Sequence, residues 1–333
     1  NDDGVIRLYF GTGPFRSMKV KPWNAFVLSK VYSDVFDKPA KAFLQNPRPL
    51  GANAAVLCDD MLTLKELPKR IADTSDFKGH TFFEGSSIRK IGDTYYFVYS
   101  SEKNHELCYA TSNFPDCNFR FRGTLVSNGD VGYHGRTERK RCNATGTTHG
   151  GMEQIVDKWY IFYHRLTHGS DYSRQMCAEQ IEIMPDGSIA QVEMTSSGLT
   201  NNDLPGEGEY PAVICCNLTN GKMPHIANKF CKDIPCITHS GEEYFVGYAA
   251  KGTQIIYKYF SVTDGTELYV TARGTGKLQV YLNNNYIGDM FFHEAEWEIK
   301  ELRICTSRKH TEIKLFVAAG KLDVLSLGFG MKE

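Results

Sequence analysis

Short aromatic runs of alternating character, each entered through a tight turn, recur along the N-terminal part of the chain. They occupy residues 5–10, 94–99 and 158–163, and this pattern predicts β-strands. Matching runs at residues 86–91 and 151–156 precede the second and third, so each pair predicts a hairpin closed by a turn of two or three residues. Hairpins that recur at intervals of some tens of residues are typical of a β-propeller or β-sandwich. The first region is therefore predicted to be all-β.

Polar and turn-forming residues at 199–206 interrupt this pattern and predict a linker. Beyond it, strands are predicted at residues 254–260, 267–272, 277–282, 312–317 and 322–329. Glycine-rich or asparagine-rich segments separate these strands, and those at 274–276 and 319–320 are predicted to be turns. This rhythm predicts a second all-β domain, most simply a sandwich. We therefore expect two domains, at residues 1–204 and 205–333.

The 38 basic and 39 acidic side chains of this 333-residue chain almost cancel. A nucleic-acid binder needs a concentrated basic face, whereas the longest basic run here is residues 139–141. No apolar stretch approaches the roughly 20 residues that span a bilayer, and residues 1–4 do not resemble a signal sequence. We therefore expect neither a nucleic-acid partner nor membrane insertion.

The ten cysteines are unevenly distributed, with Cys305 standing alone near the end. Pairing them within each domain leaves odd thiols, which favours reduced cysteines and a cytoplasm-like compartment, with secretion as the open alternative. A zinc site is not predicted, because Cys215 and Cys216 are adjacent and no CxxC pair accompanies them.

Two polar residues next to predicted strands are candidates for chemistry. Glu84 lies between aromatic residues and a turn of small residues at the start of a strand. Aromatic surroundings raise a carboxyl pKa and favour a proton donor, although a surface glutamate is the alternative. His149 lies in a loop rich in glycine and threonine, where it either faces a ligand or forms structural hydrogen bonds.

Several motifs, in order, resemble family 43 glycoside hydrolases. They are FFEGSSIRK at residues 82–90, YYFVYSS at 95–101, THGG at 148–151 and WYIFYHR at 159–165. The acidic turn at residues 2–4, followed by a strand, is similar to an inner strand of that family. The resemblance covers about residues 1–200 and implies a five-bladed β-propeller that removes arabinofuranosyl or xylosyl units with inversion.

The resemblance also implies roles for individual residues. Glu84 matches the general acid. His149 matches a histidine near the propeller axis that contacts substrate and is often associated, through water, with a bound calcium. Arg174 in YSRQ matches an arginine that contacts the sugar, and Phe83 is also expected to bind substrate. No cofactor is required for the chemistry, and a structural calcium is the one metal that the resemblance implies.

The sequence departs from the family pattern at its beginning. The resemblance places the general base, an aspartate, and a second aspartate upstream of Asn1. Inversion needs two carboxyl groups about 6.5–9.5 Å apart, and Glu84 is the one assigned here. About three of five blades are recognisable, so we expect a complementary N-terminal segment to complete the site. A separate chain, proteolytic removal and absence of that segment are the open alternatives.

The second region, over roughly residues 207–333, is similar to family 6 carbohydrate-binding modules in the segments YKYF at 257–260, RGTG at 273–276 and LGFG at 327–330. Aromatic residues that could stack on sugar rings also occur among its strands. Tyr259, Tyr286 and Trp297 are such residues, and packing in the core is their alternative role. Together the two regions predict a glycoside hydrolase acting on an arabinose- or xylose-containing glycan of plant polysaccharide. The alternative is a non-catalytic carbohydrate-binding protein, because the base is not assigned within the chain.

Overall fold

The structure is a computed structural model that describes residues 3–13, 51–72, 77, 79–200, 202–227, 231 and 234–330, together with residues 27, 30, 33, 34 and 39. The chain divides into two compact units that interleave along the sequence. The first contains Asn1–Leu125, Thr148–Ile161 and Glu182–Gln191, and the second contains Val126–Thr147, Phe162–Ile181 and Val192–Glu333. The expected boundary at residue 204 falls inside the second unit, and the two-domain division stays a prediction.

Two antiparallel sheets of consecutive strands lie in the first unit, except for residues 126 and 127 at the end of the second sheet. One sheet has the order β1 (Ile6–Thr12), β2 (Gly51–Leu57), β3 (Leu64–Ala72), and the other has the order β4 (Phe82–Ile91), β5 (Thr94–Ser101), β6 (Glu106–Ser112), β7 (Arg120–Ser127). The predicted hairpin at 86–99 is confirmed, because Ile91 pairs with Thr94 across a two-residue turn. Four sequential antiparallel strands are the organisation of a propeller blade.

Strand β5 is buried on both faces, which explains its continuous aromatic sequence. On one face, the rings of Phe97 and Tyr99 lie 5.6 Å apart and that of Phe82 lies 5.9 Å from Phe97. On the other face, the ring of Tyr96 stacks on that of Tyr109 at 6.2 Å. A sheet covered on both sides is expected of a blade that has neighbours on either side.

A third antiparallel sheet has the order β10 (Ser170–Ile181), β9 (Lys158–Thr167), β8 (Gly151–Ile155). The predicted hairpin over residues 151–163 is thus confirmed as β8 and β9. Strand β9 begins in the first unit and ends in the second.

The second unit contains a ten-stranded sheet. Its strands are β11 (Leu204–Pro205), β12 (Gly208–Pro211), β13 (Asn217–Thr219), β14 (Cys236–Ser240), β15 (Glu243–Ala250), β16 (Gln254–Val262), β17 (Glu267–Leu282), β18 (Asn285–Phe292), β19 (Glu298–Arg303) and β20 (Arg308–Gly330). Strand β11 pairs with β16, so part of the predicted linker is a strand, while residue 201 of that linker lies outside the described residues.

Two predicted turns are wrong, because they are bends inside long strands. Residues 267–272 and 277–282 belong to the single strand β17, and residues 312–317 and 322–329 belong to β20. The bends lie side by side, with Gly276 paired to Gly320. A Cβ on Gly320 would lie 2.0 Å from the Thr275 carbonyl oxygen. Glycine at the bend therefore permits close backbone approach instead of reversing the chain.

Alternate residues of strands β14 to β20 point into one hydrophobic core. In β16, for example, Ile255 and Tyr257 are fully buried, whereas the side chain of Ile256 between them lies on the other face. Inward-facing residues from many strands share this core, as expected of a sandwich. The predicted all-β class, propeller-type sheets followed by a β-sandwich, is confirmed. Among the described residues, no helix has the length and apolar character needed to cross a membrane.

Candidate active site

Glu84 lies on β4, where the pairing with β5 becomes irregular. The register shifts on both sides of Glu84, and Gly85 has a φ of 74°. An irregularity of this kind bends a strand and redirects a side chain. The Glu84 side chain stays 29% exposed, whereas Phe82 and Phe83 before it are buried. The local sequence, two aromatics followed by glycine, therefore anchors the strand and turns the carboxylate toward solvent.

His149 contacts Glu84 directly. Its Nε2 atom lies 2.9 Å from Glu84 Oε1, and its side chain is 37% exposed. Gly85 makes room for the ring, since a Cβ at that position would lie 3.0 Å from His149 Cδ2. A side chain at residue 85 would meet both this contact and an unfavourable φ. The structure thus joins the predicted acid and the predicted histidine in one hydrogen-bonded pair.

The other two predicted site residues do not join this pair. Phe83 is 5% exposed, which leaves little of its ring for a sugar, and its role in substrate binding stays a prediction. Arg174 is exposed on β10 in the second unit, where its Nη2 donates to Thr147 Oγ1 at 3.1 Å. Its predicted contact with the sugar likewise stays a prediction.

The side chains of Glu84 and His149 do not by themselves form the ligand set of a calcium site. Calcium takes six to eight oxygen ligands, and this pair supplies one carboxylate and one imidazole. A calcium held by His149 through water stays a prediction. In the predicted acidic turn, Asp3 Oδ2 accepts a hydrogen bond from Arg7 Nη1 at 2.7 Å. Residue 2 of that turn lies outside the described residues.

A second polar cluster in the first unit was missed by sequence reasoning. His80 Nδ1 lies 2.7 Å from Glu106 Oε1 and 3.7 Å from Cys108 Sγ, and the three residues have the arrangement of a metal-binding group. Lys103 Nζ lies 3.5 Å from His80 Nδ1 and 3.6 Å from Glu106 Oε1, so an ammonium group already occupies this polar centre. Glu106 and Cys108 share a face of β6, which alternation could have suggested, but His80 has no spacing signal that connects it to them.

Glu106 has a strongly shifted pKa. Burial raises the pKa of this carboxyl, but the hydrogen bond and charge of His80, the Ser101 hydroxyl and Lys103 together lower it to about 2. Glu106 is therefore a charged structural anchor and differs from the open carboxylate of Glu84.

One protein-family model matches the segment that contains this pair. Residues 35–189 match the model of Glycosyl hydrolases family 43, and this segment includes Glu84, His149 and Arg174. Over this segment the chain is similar to that family. The family resemblance predicted from the motifs is thereby confirmed.

Alignments of this chain with individual relatives cover only part of each relative. A xylosidase/arabinosidase of Thermoclostridium stercorarium is 51% identical over 179 residues, which are 52% of this chain and 38% of that protein. A solved structure of a glycoside hydrolase family 43 arabinoxylan arabinofuranohydrolase from Bacillus subtilis, in complex with cellotetraose, is 18% identical with a TM-score of 0.45. The alignment covers 100% of this chain and 66% of the chain in that structure. This chain thus spans less than two thirds of either relative.

For the C-terminal part, a solved structure of CsCBM6-3 from Clostridium stercorarium with cellobiose is 14% identical. Its TM-score is 0.32, and it covers 40% of this chain and 100% of that chain.

Proposed function

We propose that this protein is a glycoside hydrolase that removes arabinofuranosyl or xylosyl units from plant polysaccharide or its oligosaccharides, with inversion of configuration. One observation carries the proposal: within the segment that matches family 43, the partly exposed carboxylate of Glu84 is hydrogen-bonded to His149 at the irregular part of β4. The sugar class follows the relatives, since a 51%-identical protein bears the name xylosidase/arabinosidase.

In the proposed reaction, Glu84 is the general acid. Its protonated carboxyl gives a proton to the glycosidic oxygen while water attacks the anomeric carbon from the opposite face. The exposure of Glu84 supports this role, because an acid must reach a bound substrate. The base that activates the water is expected to be an aspartate, as the family resemblance implies, and no residue of this sequence is assigned to it.

His149 is proposed to position Glu84. A ring nitrogen at 2.9 Å holds the carboxyl in one orientation, and the imidazole can either accept the proton of a neutral carboxyl or donate to a charged one. Arg174 and Phe83 are proposed to contact the sugar, with Thr147 holding the Arg174 guanidinium.

The test replaces Glu84 by glutamine in the purified protein, because Glu84→Gln keeps the size of the side chain and removes its transferable proton. We expect hydrolysis of an arabinoxylo-oligosaccharide to fall about 10²–10⁴-fold. A 4-nitrophenyl glycoside, whose leaving group hardly needs a proton, should lose far less. Proton NMR of the first product formed should show the inverted anomer.

Glu102→Gln is the matched control. Glu102 accepts a hydrogen bond from Thr81 at 3.2 Å and should be replaceable without this loss. Equal losses on both substrates would contradict the role of Glu84 as the acid. Glycan binding without any hydrolysis by the unmodified protein would favour the alternative of a non-catalytic carbohydrate-binding protein.

A further inference from the structure

A basic cleft of about 330 Å³ lies in the second unit. One wall is the loop around the short 3₁₀ segment Glu138–Lys140, and the floor is the outward face of strands β13, β16 and β20. Its charged lining consists of Arg136, Lys140, Arg141, Lys258, Lys314 and Glu312. Five positive groups and one negative group make this lining unlike the nearly neutral composition of the whole chain.

Two of the positive groups have acidic neighbours outside the lining. Lys258 Nζ donates to Glu193 Oε2 at 2.9 Å, and Arg141 Nη2 lies 4.0 Å from Glu138 Oε2. The other three differ: among the residues that the structure describes, no ion pair joins Arg136, Lys140 or Lys314 to a carboxylate. Asp130 also lies near Lys258 and accepts a hydrogen bond from Asn217 of the lining. Even with Glu312, Glu193, Glu138 and Asp130 counted against them, the five cations leave an excess of one positive charge at the cleft.

Two arginines of the lining also have hydrogen-bond donors that are not used within the described part of the chain. The Nε atoms of Arg136 and Arg141 are buried and have no hydrogen-bond partner in the described part of the chain. Arg136 uses Nη1 for the Lys140 carbonyl oxygen at 3.4 Å, and Arg141 uses Nη1 for the Met223 carbonyl oxygen at 3.3 Å. A guanidinium fixed through one nitrogen, with another N–H unused, is suited to a carboxylate or a similar planar anion.

The floor of the cleft is formed by paired strands and has mixed polarity. The ladder register places Asn217 and Lys314 on either side of Ile256, and Gln254 lies on the same face two residues earlier. Lys314 is held above the Tyr281 ring at 4.5 Å and donates to Asn284 Oδ1 at 2.8 Å. An apolar Ile256 between amide groups can contact the C–H face of a sugar while Gln254 bonds to hydroxyls.

We propose that this cleft binds an acidic sugar of the glycan substrate, a uronic-acid unit whose carboxylate is bound by Arg136, with Lys140 and Lys314 nearby. The inference deepens the proposed function and rests on it for the glycan class. A cleft of this volume suits one or two sugar units rather than a long chain. It would direct the protein toward polysaccharide that carries uronic-acid branches.

Calorimetric titration of the whole protein tests the proposal. The probes are a xylo-oligosaccharide bearing one glucuronic-acid branch, the same oligosaccharide without the branch, and inorganic phosphate. We expect the acidic oligosaccharide to bind about tenfold more tightly than the neutral one, which corresponds to about 1.4 kcal/mol. This preference should weaken as salt is raised.

Arg136→Gln should remove most of that preference and leave binding of the neutral oligosaccharide unchanged. Lys140→Gln, at an exposed loop position, is a second variant that does not depend on the folding of Arg136→Gln, and it should lower the preference by a smaller factor. Lys309→Gln is the control, since Lys309 is exposed on β20 and does not line the cleft.

Equal affinity for the acidic and neutral oligosaccharides would overturn the proposal, as would an equal loss in Lys309→Gln. Phosphate binding as tight as that of the acidic oligosaccharide would reduce the cleft to a general anion site and would also overturn it. These readouts are binding alone, so they are separable from the proposed function. Hydrolysis that depends on Glu84 but shows no preference for uronic acid would contradict this inference and leave the proposed glycoside hydrolase function supported.

Discussion

Two buried glutamates, one in each unit, respond in opposite ways to similar burial. Glu106 on β6 is 3% exposed and Glu179 on β10 is 4% exposed. Burial alone raises both pKa values, because a charged carboxylate loses its hydration. The pKa of Glu106 is nevertheless lowered to about 2, whereas that of Glu179 is raised to about 8.

The difference lies in the neighbours. Glu106 lies next to the potential cations His80 and Lys103. Glu179 accepts from the neutral Thr195 backbone N–H and hydroxyl and from Tyr163, and Asp130 raises its pKa further. Hydrogen bonds from neutral donors do not offset burial, whereas adjacent cations do. The charge state of a buried acid in this protein is therefore set by the strands that cross beside it.

The largest expected effect comes from replacing each glutamate by glutamine. Glu106→Gln should lower the free energy of unfolding by about 3 kcal/mol at pH 7, because it leaves His80 and Lys103 next to a group without charge. Glu179→Gln should instead raise it at pH 7, because glutamine resembles the neutral carboxyl of the folded state and removes the ionisation that favours the unfolded chain at that pH. Urea denaturation of both variants measures the difference.

The exposed Glu182 provides the control for these variants, since Glu182→Gln should stay within about 0.5 kcal/mol of the unmodified protein. Similar losses in Glu106→Gln and Glu179→Gln would show that the two sites do not differ in charge.

A smaller effect is expected in the pH dependence of stability. For Glu179, the pKa is near 4.5 in the unfolded chain and about 8 in the folded one, so the folded state binds more protons between these values. Its contribution therefore falls as pH rises through this window. For Glu106, whose folded pKa is about 2, the contribution is present above pH 4.5 and is lost as pH falls toward 2.

Denaturation series at several pH values separate the two groups. Glu179→Gln should flatten the decline between about pH 5 and 8, and Glu106→Gln should leave that decline intact while weakening the loss in acid. A Glu179→Gln variant with an unchanged slope above pH 5 would rule out the neutral state of Glu179.

The smallest expected effect is that of Tyr163→Phe. Tyr163 donates to Glu179 Oε1 at 3.0 Å, and losing this bond should cost about 1 kcal/mol. The hydrogen bond also lowers the pKa of folded Glu179, so its removal should extend the upper end of the pH-dependent decline to higher pH, while its start near pH 4.5 stays unchanged. Thermal unfolding at pH 6 and pH 8.5 provides the comparison, with an unshifted decline as the contrary result.

The sequence by itself determined the strands and much of the candidate site. Alternating aromatics and turn residues are local signals, so the hairpins β4–β5 and β8–β9 could be predicted from them. The motifs around Glu84 and His149 also carried the resemblance to family 43, because they depend on residue order and not on distance. The bends in β17 and β20 were misjudged, since a glycine has the same local signature in a turn and in a close strand contact.

Only the tertiary structure decided which polar groups meet. Glu84 and His149 are 65 residues apart, and their hydrogen bond depends on an irregular strand pairing that no local pattern encodes. His80 reaches Glu106 and Lys103 for the same kind of reason, and the cations of the basic cleft come from a loop and from strands distant in sequence. Electrostatic effects depend on distance and burial, so the charge of each group becomes defined when the strands pack.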